Sequence, residues 1–226
     1  MLSVICPIYN EEEYINQCIE SILMQDYPKN DLEILFVDGM SKDKTRDIVK
    51  EYSEKYPFIH LLDNPKKIVP CAMNIGIKAS RGDIIIRLDA HANYEKNYFS
   101  VLSHRLIELG AENVGVVCKT DVLNKTPKTF AIREVLSNKF GVGNSIFRTG
   151  VDKVMEVDTV PFGCWRRDVF DKYGLYDERL IRNQDFELNY RIRKGSGRIF
   201  IVPDSNCTYY ARESFKKLWI QNYKNG

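Results

Sequence analysis

The sequence has no apolar run approaching the ~20 residues that carry a helix across a bilayer, so a non-spanning, soluble domain is expected. It also lacks an excess of charge of one sign. Its 33 basic residues face 31 acidic ones for a net charge of +2, which gives nucleic acid no field to follow. The six cysteines include no Cys-x-x-Cys pair, which excludes the common zinc and dithiol motifs. Cys6, Cys18 and Cys118 fall instead within apolar strand or helix patterns, as buried reduced thiols do, and a reducing, cytoplasmic compartment is expected. Repeats, linkers and low-complexity tracts are missing. Met1 leads directly into an apolar strand, so no signal peptide is expected.

What is present is regular alternation. With 226 residues, 44% of them hydrophobic, the chain can bury one large core, and one α/β domain is expected rather than two small ones. Residues 2–6 read as a short strand. A helix follows with Tyr14, Ile15, Cys18, Ile19, Ile22 and Leu23 on one face, a 3.6-residue period. Strands at 33–37 and 59–62 bracket a helix striped by Ile48, Val49, Tyr52 and Tyr56. Pro70 opens another helix at its first turn. Such alternation predicts a Rossmann-like, mainly parallel sheet with helices on both faces. Beyond residue 90 the rhythm loosens. A helix carrying Phe99, Leu102, Leu106 and Leu109, a strand at 115–118 and a helical patch at 131–137 precede a glycine-rich segment, 141–145, expected to be a mobile loop. Further on, 155–160 alternates as a half-buried strand would, and 167–173 and 186–193 read as helices. Residues 199–202 read as a strand stopped by Pro203, and 214–223 as an amphipathic helix.

The chain is organised around Ile84-Ile85-Ile86-Arg87-Leu88-Asp89-Ala90-His91. An apolar run of this kind forms a strand buried between helix layers. Ligands of open α/β sheets bind outside the carboxyl ends of the strands, which is where Asp89 and His91 fall. A carboxylate and an imidazole two residues apart can both reach one divalent cation held against a diphosphate. A strand-terminal Asp that merely turns the chain is the simpler reading of those residues alone. Arg87 interrupts the apolar run and is expected to pair with an acidic group.

Pro7-Ile8-Tyr9-Asn10-Glu11, then Asp38-Gly39 with Ser41 to Thr45, then Asn74-Ile75-Gly76 with Gly82-Asp83, then Asp89-Ala90-His91, together resemble family 2 glycosyltransferases. These are inverting, nucleotide-sugar-dependent enzymes of the GT-A fold, and the likeness runs over essentially the whole chain. Phe140 to Ser145, Phe162 to Arg167 and Arg182 to Arg191 are similar to bacterial exopolysaccharide glycosyltransferases of the succinoglycan type, which extend a lipid-linked saccharide at the inner face of the membrane.

The resemblance implies a single GT-A domain over 1–226, with a nucleotide-sugar-binding half (1–118) and an acceptor-binding half (119–226). It implies a UDP-hexose donor, contacted by Pro7, Tyr9, Glu11, Asp38, Asn74, Lys78, Asp89 and Ala90. Asp89 and His91 would hold Mn²⁺ or Mg²⁺, Asp185 would be the general base, and Trp165 and Arg166 would meet a lipid-linked or growing saccharide acceptor. Several of these residues also have a plainer role open to them: Asp38 as a turn starter, Tyr9 as packing, Glu11 in a first helical turn, Lys78 on a solvated face, Trp165 as core packing, Asp185 as a helix cap. The basic residues Arg191, Arg193, Lys194, Arg198, Arg212, Lys216 and Lys217 form a solvated face or, in this family setting, meet anionic lipid headgroups or the acceptor's pyrophosphate. Relatives usually continue past the position of Gly226, so a membrane-associated segment is expected beyond it.

Two departures stand out. The family's Asp-x-Asp ends here in His91, so ligation could rest on Asp89 alone, with His91 on a phosphate or the sugar. The family's acidic pair is here Gln184-Asp185, which leaves one carboxylate. Two other readings stay open, a nucleotidyltransferase of similar architecture and a degenerate, non-catalytic sugar-nucleotide module. The first is disfavoured because Pro7 to Glu11 contains no glycine and no basic residue.

Overall fold

A computed structural model describes residues 1–142, 145–211 and 214–224. The first half is a strand–helix alternation in which each apolar run becomes a strand and each 3.6-period stripe a helix. The order is β1 (Leu2–Ile8), α1 (Ile15–Leu23), β2 (Leu32–Asp38), α2 (Thr45–Lys55), β3 (Ile59–Asp63), α3 (Val69–Ala79) and β4 (Ile84–Arg87). The second half follows as β5 (Ala92–Tyr94), α4 (Tyr98–Glu108), β6 (Asn113–Asp121), α5 (Pro127–Ser137), α6 (Lys139–Val142) and α7 (Ile146–Thr149). It closes with β7 (Met155–Glu156), β8 (Cys164–Arg166), α8 (Asp168–Tyr173), α9 (Gln184–Lys194), β9 (Ile199–Tyr210) and α10 (Phe215–Lys224).

The described strands form one sheet in the order β3-β2-β1-β4-β8-β6-β9-β5, with β7 on β9. Pairing is parallel from β3 through β4 and again between β6 and β9, while β8, β5 and β7 pair antiparallel. The chain moves outward from β1 to β2 and β3, then returns to place β4 on the other side of β1. The order thus reverses between β1 and β4, the position where an open α/β sheet has a crevice at its strand ends. Helices cover both faces. Stripes of α1, α2 and α4, including Ile19, Val49 and Leu102, pack on one face. Met73 of α3, Phe170 of α8 and Leu188 of α9 pack on the other. Helix α3 lies so close to β1 that a Cβ on Gly76 would stand 2.5 Å from Ile5 Cγ2.

Two sequence expectations change. Pro203 does not stop the last strand. Val116 pairs with Val202 but Val117 pairs with Asn206, so the proline sits in a bulge, where its missing N–H breaks no ladder bond. Only Met155 and Glu156 of the alternating 155–160 segment join the sheet, beside β9. The 141–145 segment begins inside α6 and leads into α7, and Gly143 and Asn144 lie outside the described residues. All six cysteines are buried and free. No helix among the described residues is long and apolar enough to cross a membrane.

At the amino ends of the strands Glu33 is sealed inside, 2% exposed. Its carboxylate accepts from Ser3 Oγ and from the backbone N–H and guanidinium of Arg81. Burial opposes its charge, but these donors outweigh burial and lower its pKa below the ordinary 4.5. A carboxylate with a depressed folded pKa adds stability above its unfolded pKa and loses it as pH falls through the folded value. Glu33→Gln is therefore expected to destabilise the fold at pH 7 by about 1–3 kcal/mol. The gap to wild type should narrow as pH drops below about 4.5. Urea midpoints measured from pH 7 to pH 3 check this, and a constant gap would refute the assignment.

Candidate active site

Asp89 directly follows β4, and its backbone is pinned from both sides. The Tyr94 hydroxyl accepts the Asp89 N–H at 2.7 Å and donates to the Asp89 carbonyl at 3.0 Å. The carboxylate accepts the His91 N–H at 3.2 Å, the local turn that Asp favours two residues ahead of a donor. His91 Nδ1 lies 2.8 Å from Asp89 Oδ1 and 3.4 Å from Glu11 Oε1, and its Nε2 lies 3.2 Å from the Tyr209 hydroxyl. Burial opposes charge on Asp89, but the adjacent imidazolium outweighs it and brings the pKa down to about 2. Burial also disfavours charge on His91, yet Asp89 and then Glu11 hold its pKa well above 6.5. His91 Nε2 thus meets the Tyr209 hydroxyl, while Nδ1 faces the Asp89 and Glu11 carboxylates at ion-pair range but is buried without a hydrogen-bond partner.

Glu11 is delivered by the turn after β1, in which Asn10 adopts φ +53°. The Asn10 and Glu11 N–H groups donate to the hydroxyls of Ser41 and Thr45, clasping this turn to the loop after β2. Tyr9 lies against Gly39, where an added Cβ would come within 3.1 Å of the ring, and its outer face is exposed. Pro7 sits in β1 opposite Val37, and Ala90 is buried, which leaves only its backbone to meet a ligand. Asp38 reaches the carboxyl end of β2 as expected, but it is 0% exposed, with Ser41 and Arg46 on its oxygens. Its carboxylate is committed to folding the 38–46 loop.

Asp185 enters from the other half, in the first turn of α9, after Asn183 at φ +58°. Its Oδ1 accepts from Arg87 Nη1, the acidic partner that Arg87 requires. Arg87 is 7% exposed, and its Nε and the neighbouring Tyr176 hydroxyl are buried without a hydrogen-bond partner. Because Asp89 lies two residues beyond Arg87, one strand end links the Asp89 carboxylate to Asp185. Asp185, Arg148, Phe147, Thr159, Phe186 and Tyr209 border a pocket of about 190 Å³. An adjoining cavity of about 440 Å³ shares Phe147, Thr159 and Phe186, and continues outward to Glu156 and Asp158. A larger trough of about 850 Å³ follows the β3 edge and contains neither Asp89 nor Asp185.

Four expected site residues lie elsewhere. Trp165 is 1% exposed and packs against Phe170 and Tyr176, so its face is closed to a sugar. Arg166 pairs in register with Ile84, at the amino end of β4, and bonds the Ala111 carbonyl and Asp168, at the opposite edge from Asp89. Asn74 is buried and bonds the Tyr176 backbone and Glu178, stitching α3 to the segment before α9. Lys78 is exposed in the last turn of α3, which runs back toward the amino ends of the strands. Much of the basic patch is neutralised, with Arg191 on Glu187, Arg193 on Asp158 and Arg198 on Glu156; Arg212 lies outside the described residues. Tyr94, Tyr176, Tyr209 and Arg148 went unmarked in the sequence. Nothing local distinguishes these tyrosines from packing, and only the antiparallel register of β5 on β9 brings Tyr209 to His91.

Comparison with known proteins matches this architecture. The sequence fits the profile of Glycosyl transferase family 2 over residues 3–174, and the chain belongs to that family. It is 32% identical over its whole length to a Methanococcus voltae enzyme, covering 71% of it. That enzyme's name is dolichyl N-acetyl-alpha-D-glucosaminyl phosphate 3-beta-D-2,3-diacetamido-2,3-dideoxy-beta-D-glucuronosyltransferase. It is 30% identical over 99% of the chain to the succinoglycan biosynthesis protein ExoA of Rhizobium meliloti, covering 67% of it. Two solved glycosyltransferases share the fold. Staphylococcus aureus TarS with UDP-GlcNAc superposes with TM-score 0.73 at 20% identity, over 94% of this chain and 59% of that one. The Pyrobaculum calidifontis mannosyltransferase PcManGT with GDP-Man and Mn²⁺ gives 0.72 at 18%, over 96% and 59%. The chain spans about three-fifths of these structures. It is a glycosyltransferase with the GT-A fold.

Proposed function

We propose that this chain is the catalytic domain of an inverting, metal-assisted hexosyltransferase. It takes a nucleotide-sugar, a UDP-hexose, and extends a lipid-linked or growing surface saccharide at the inner face of the membrane. Residues 1–118 serve the donor and 119–226 the acceptor. The observation that carries the reading is the tie between Asp89 and Asp185 through Arg87, beside a pocket edged by Asp185 and by Tyr209, the partner of His91.

The acceptor oxygen forms a bond to C1 as the C1–O bond to the diphosphate breaks on the opposite face, and the acceptor's proton passes to Asp185. Asp185 is a quarter exposed, open to a hydroxyl from the pocket side while Arg87 fixes it from behind. Among the described residues no group of three or more His, Cys, Asp or Glu is arranged to hold a metal ion. One carboxylate does fit a hard cation that takes its remaining ligands from substrate phosphates and water. Asp89 would hold it, and when bound it supplies positive charge to the departing diphosphate. For His91 to join, it would have to exchange Asp89, Glu11 or Tyr209 for the ion. Tyr9 and the turn through Glu11 border the donor side.

Calorimetric titration of UDP and GDP, with and without Mn²⁺, tests this. UDP is expected to bind more tightly with Mn²⁺ and better than GDP, and Asp89→Ala to weaken it roughly ten- to a hundredfold. Metal-independent binding that Asp89→Ala leaves unchanged would remove Asp89 from the donor site. Binding without turnover of any UDP-hexose would leave a non-catalytic module.

A further inference from the structure

Arg148 is a cation that the proposed chemistry does not use. It sits on α7 in the wall of the pocket that holds Asp185, between the ring faces of Phe147 and Tyr209, each centroid 5.7 Å from its guanidinium carbon. Its Nη1 donates to Thr120 Oγ1 at 3.0 Å. Among the described residues it has no carboxylate in ion-pair range, and Asp185 is already taken by Arg87. Aromatic faces hold a guanidinium in place without neutralising it. A planar fork of five donors with one acceptor engaged is suited to an oxyanion.

The pocket, about 190 Å³, has room for one sugar ring and little more. Phe186, 57% exposed, and Phe147 give it aromatic walls, and the cavity beyond them offers a way out. One polar wall can take a proton and the other can hold an anion.

We propose that this pocket is an acceptor subsite for a glycosyl phosphate, with a sugar hydroxyl toward Asp185 and the phosphate on Arg148. The proposal rests on the glycosyltransferase reading above, because it takes Asp185 as the proton acceptor. The same phosphate chemistry has a second source, the diphosphate of the donor, since Tyr209 also touches His91.

Titrating glucose 1-phosphate and methyl glucoside into protein saturated with UDP and Mn²⁺ separates the two. Wild type, Arg148→Ala and Arg148→Lys are compared. Glucose 1-phosphate is expected to bind wild type and to weaken roughly tenfold or more in Arg148→Ala, less in Arg148→Lys, while methyl glucoside is unaffected. UDP affinity should be equal in all three, which also shows that the variants fold. A fall in UDP affinity in Arg148→Ala would assign the arginine to the donor. Equal binding of glucose 1-phosphate by wild type and Arg148→Ala, or no binding at all, would overturn the subsite. If UDP does not bind wild type, the glycosyltransferase site itself fails, and the first titration shows it.

Discussion

Asp185→Asn is expected to lower the transfer rate roughly a hundred- to ten-thousandfold, the usual contribution of a positioned general base, while UDP affinity stays unchanged. The amide keeps the shape of the side chain and loses the ability to take a proton. Donor affinity should hold because Asp185 enters from α9, whereas Glu11, Asp89 and His91, the residues proposed for the donor side, come from the ends of β1 and β4. Asp185 also neutralises Arg87, so the rate has to be read well below the variant's melting temperature. Single-turnover rates with a UDP-hexose and calorimetric UDP binding, measured on the same preparation, decide the matter. A rate within a few-fold of wild type would remove Asp185 as the base.

The Arg87–Asp185 pair gives the second large effect, on stability. The two partners are not equally sealed, since the Arg87 side chain is 8% exposed and the Asp185 side chain 25%. Removing one partner of a buried pair costs about 3–5 kcal/mol, because the charge left behind is uncompensated. Asp185→Asn strands the deeper charge and should lie near the upper end of that range. Arg87→Met strands a carboxylate that water can reach and should lie near the lower end. The double variant Arg87→Met/Asp185→Asn has no charge to strand, so it should be more stable than Asp185→Asn alone. Guanidinium unfolding of the four proteins measures this coupling. Losses that simply add would show that the pair is not energetically joined.

These residues also show where local sequence stops being informative. The strand–helix alternation of the first half was legible because side-chain period is a property of a few neighbouring residues, and β1 through β4 emerged in the expected order. The ends of those strands were legible for the same reason, which located Tyr9, Glu11, Asp38 and Asp89. Arg87, set in an apolar strand, announced that it needed an acid.

Partners across the sheet were not legible. Trp165 was expected to meet the acceptor, yet β8 inserts antiparallel between β4 and β6 and directs the ring into the core. The same insertion carries Arg166 to the amino end of β4. Asn74 and Lys78 share one helix with suitable chemistry, but α3 buries the first against Tyr176 and takes the second away from the strand ends.

By itself the sequence determined the elements of the first half, the family and the carboxylate at the end of the central strand, all encoded within windows of a few residues. Only the tertiary structure decided that Asp185 meets Arg87, 98 residues away, that Tyr209 meets His91, 118 residues away, and that Arg148 faces the same pocket. Strand order and register set those meetings, and both arise from burying two helix layers against one sheet, a condition that no short stretch of chain contains.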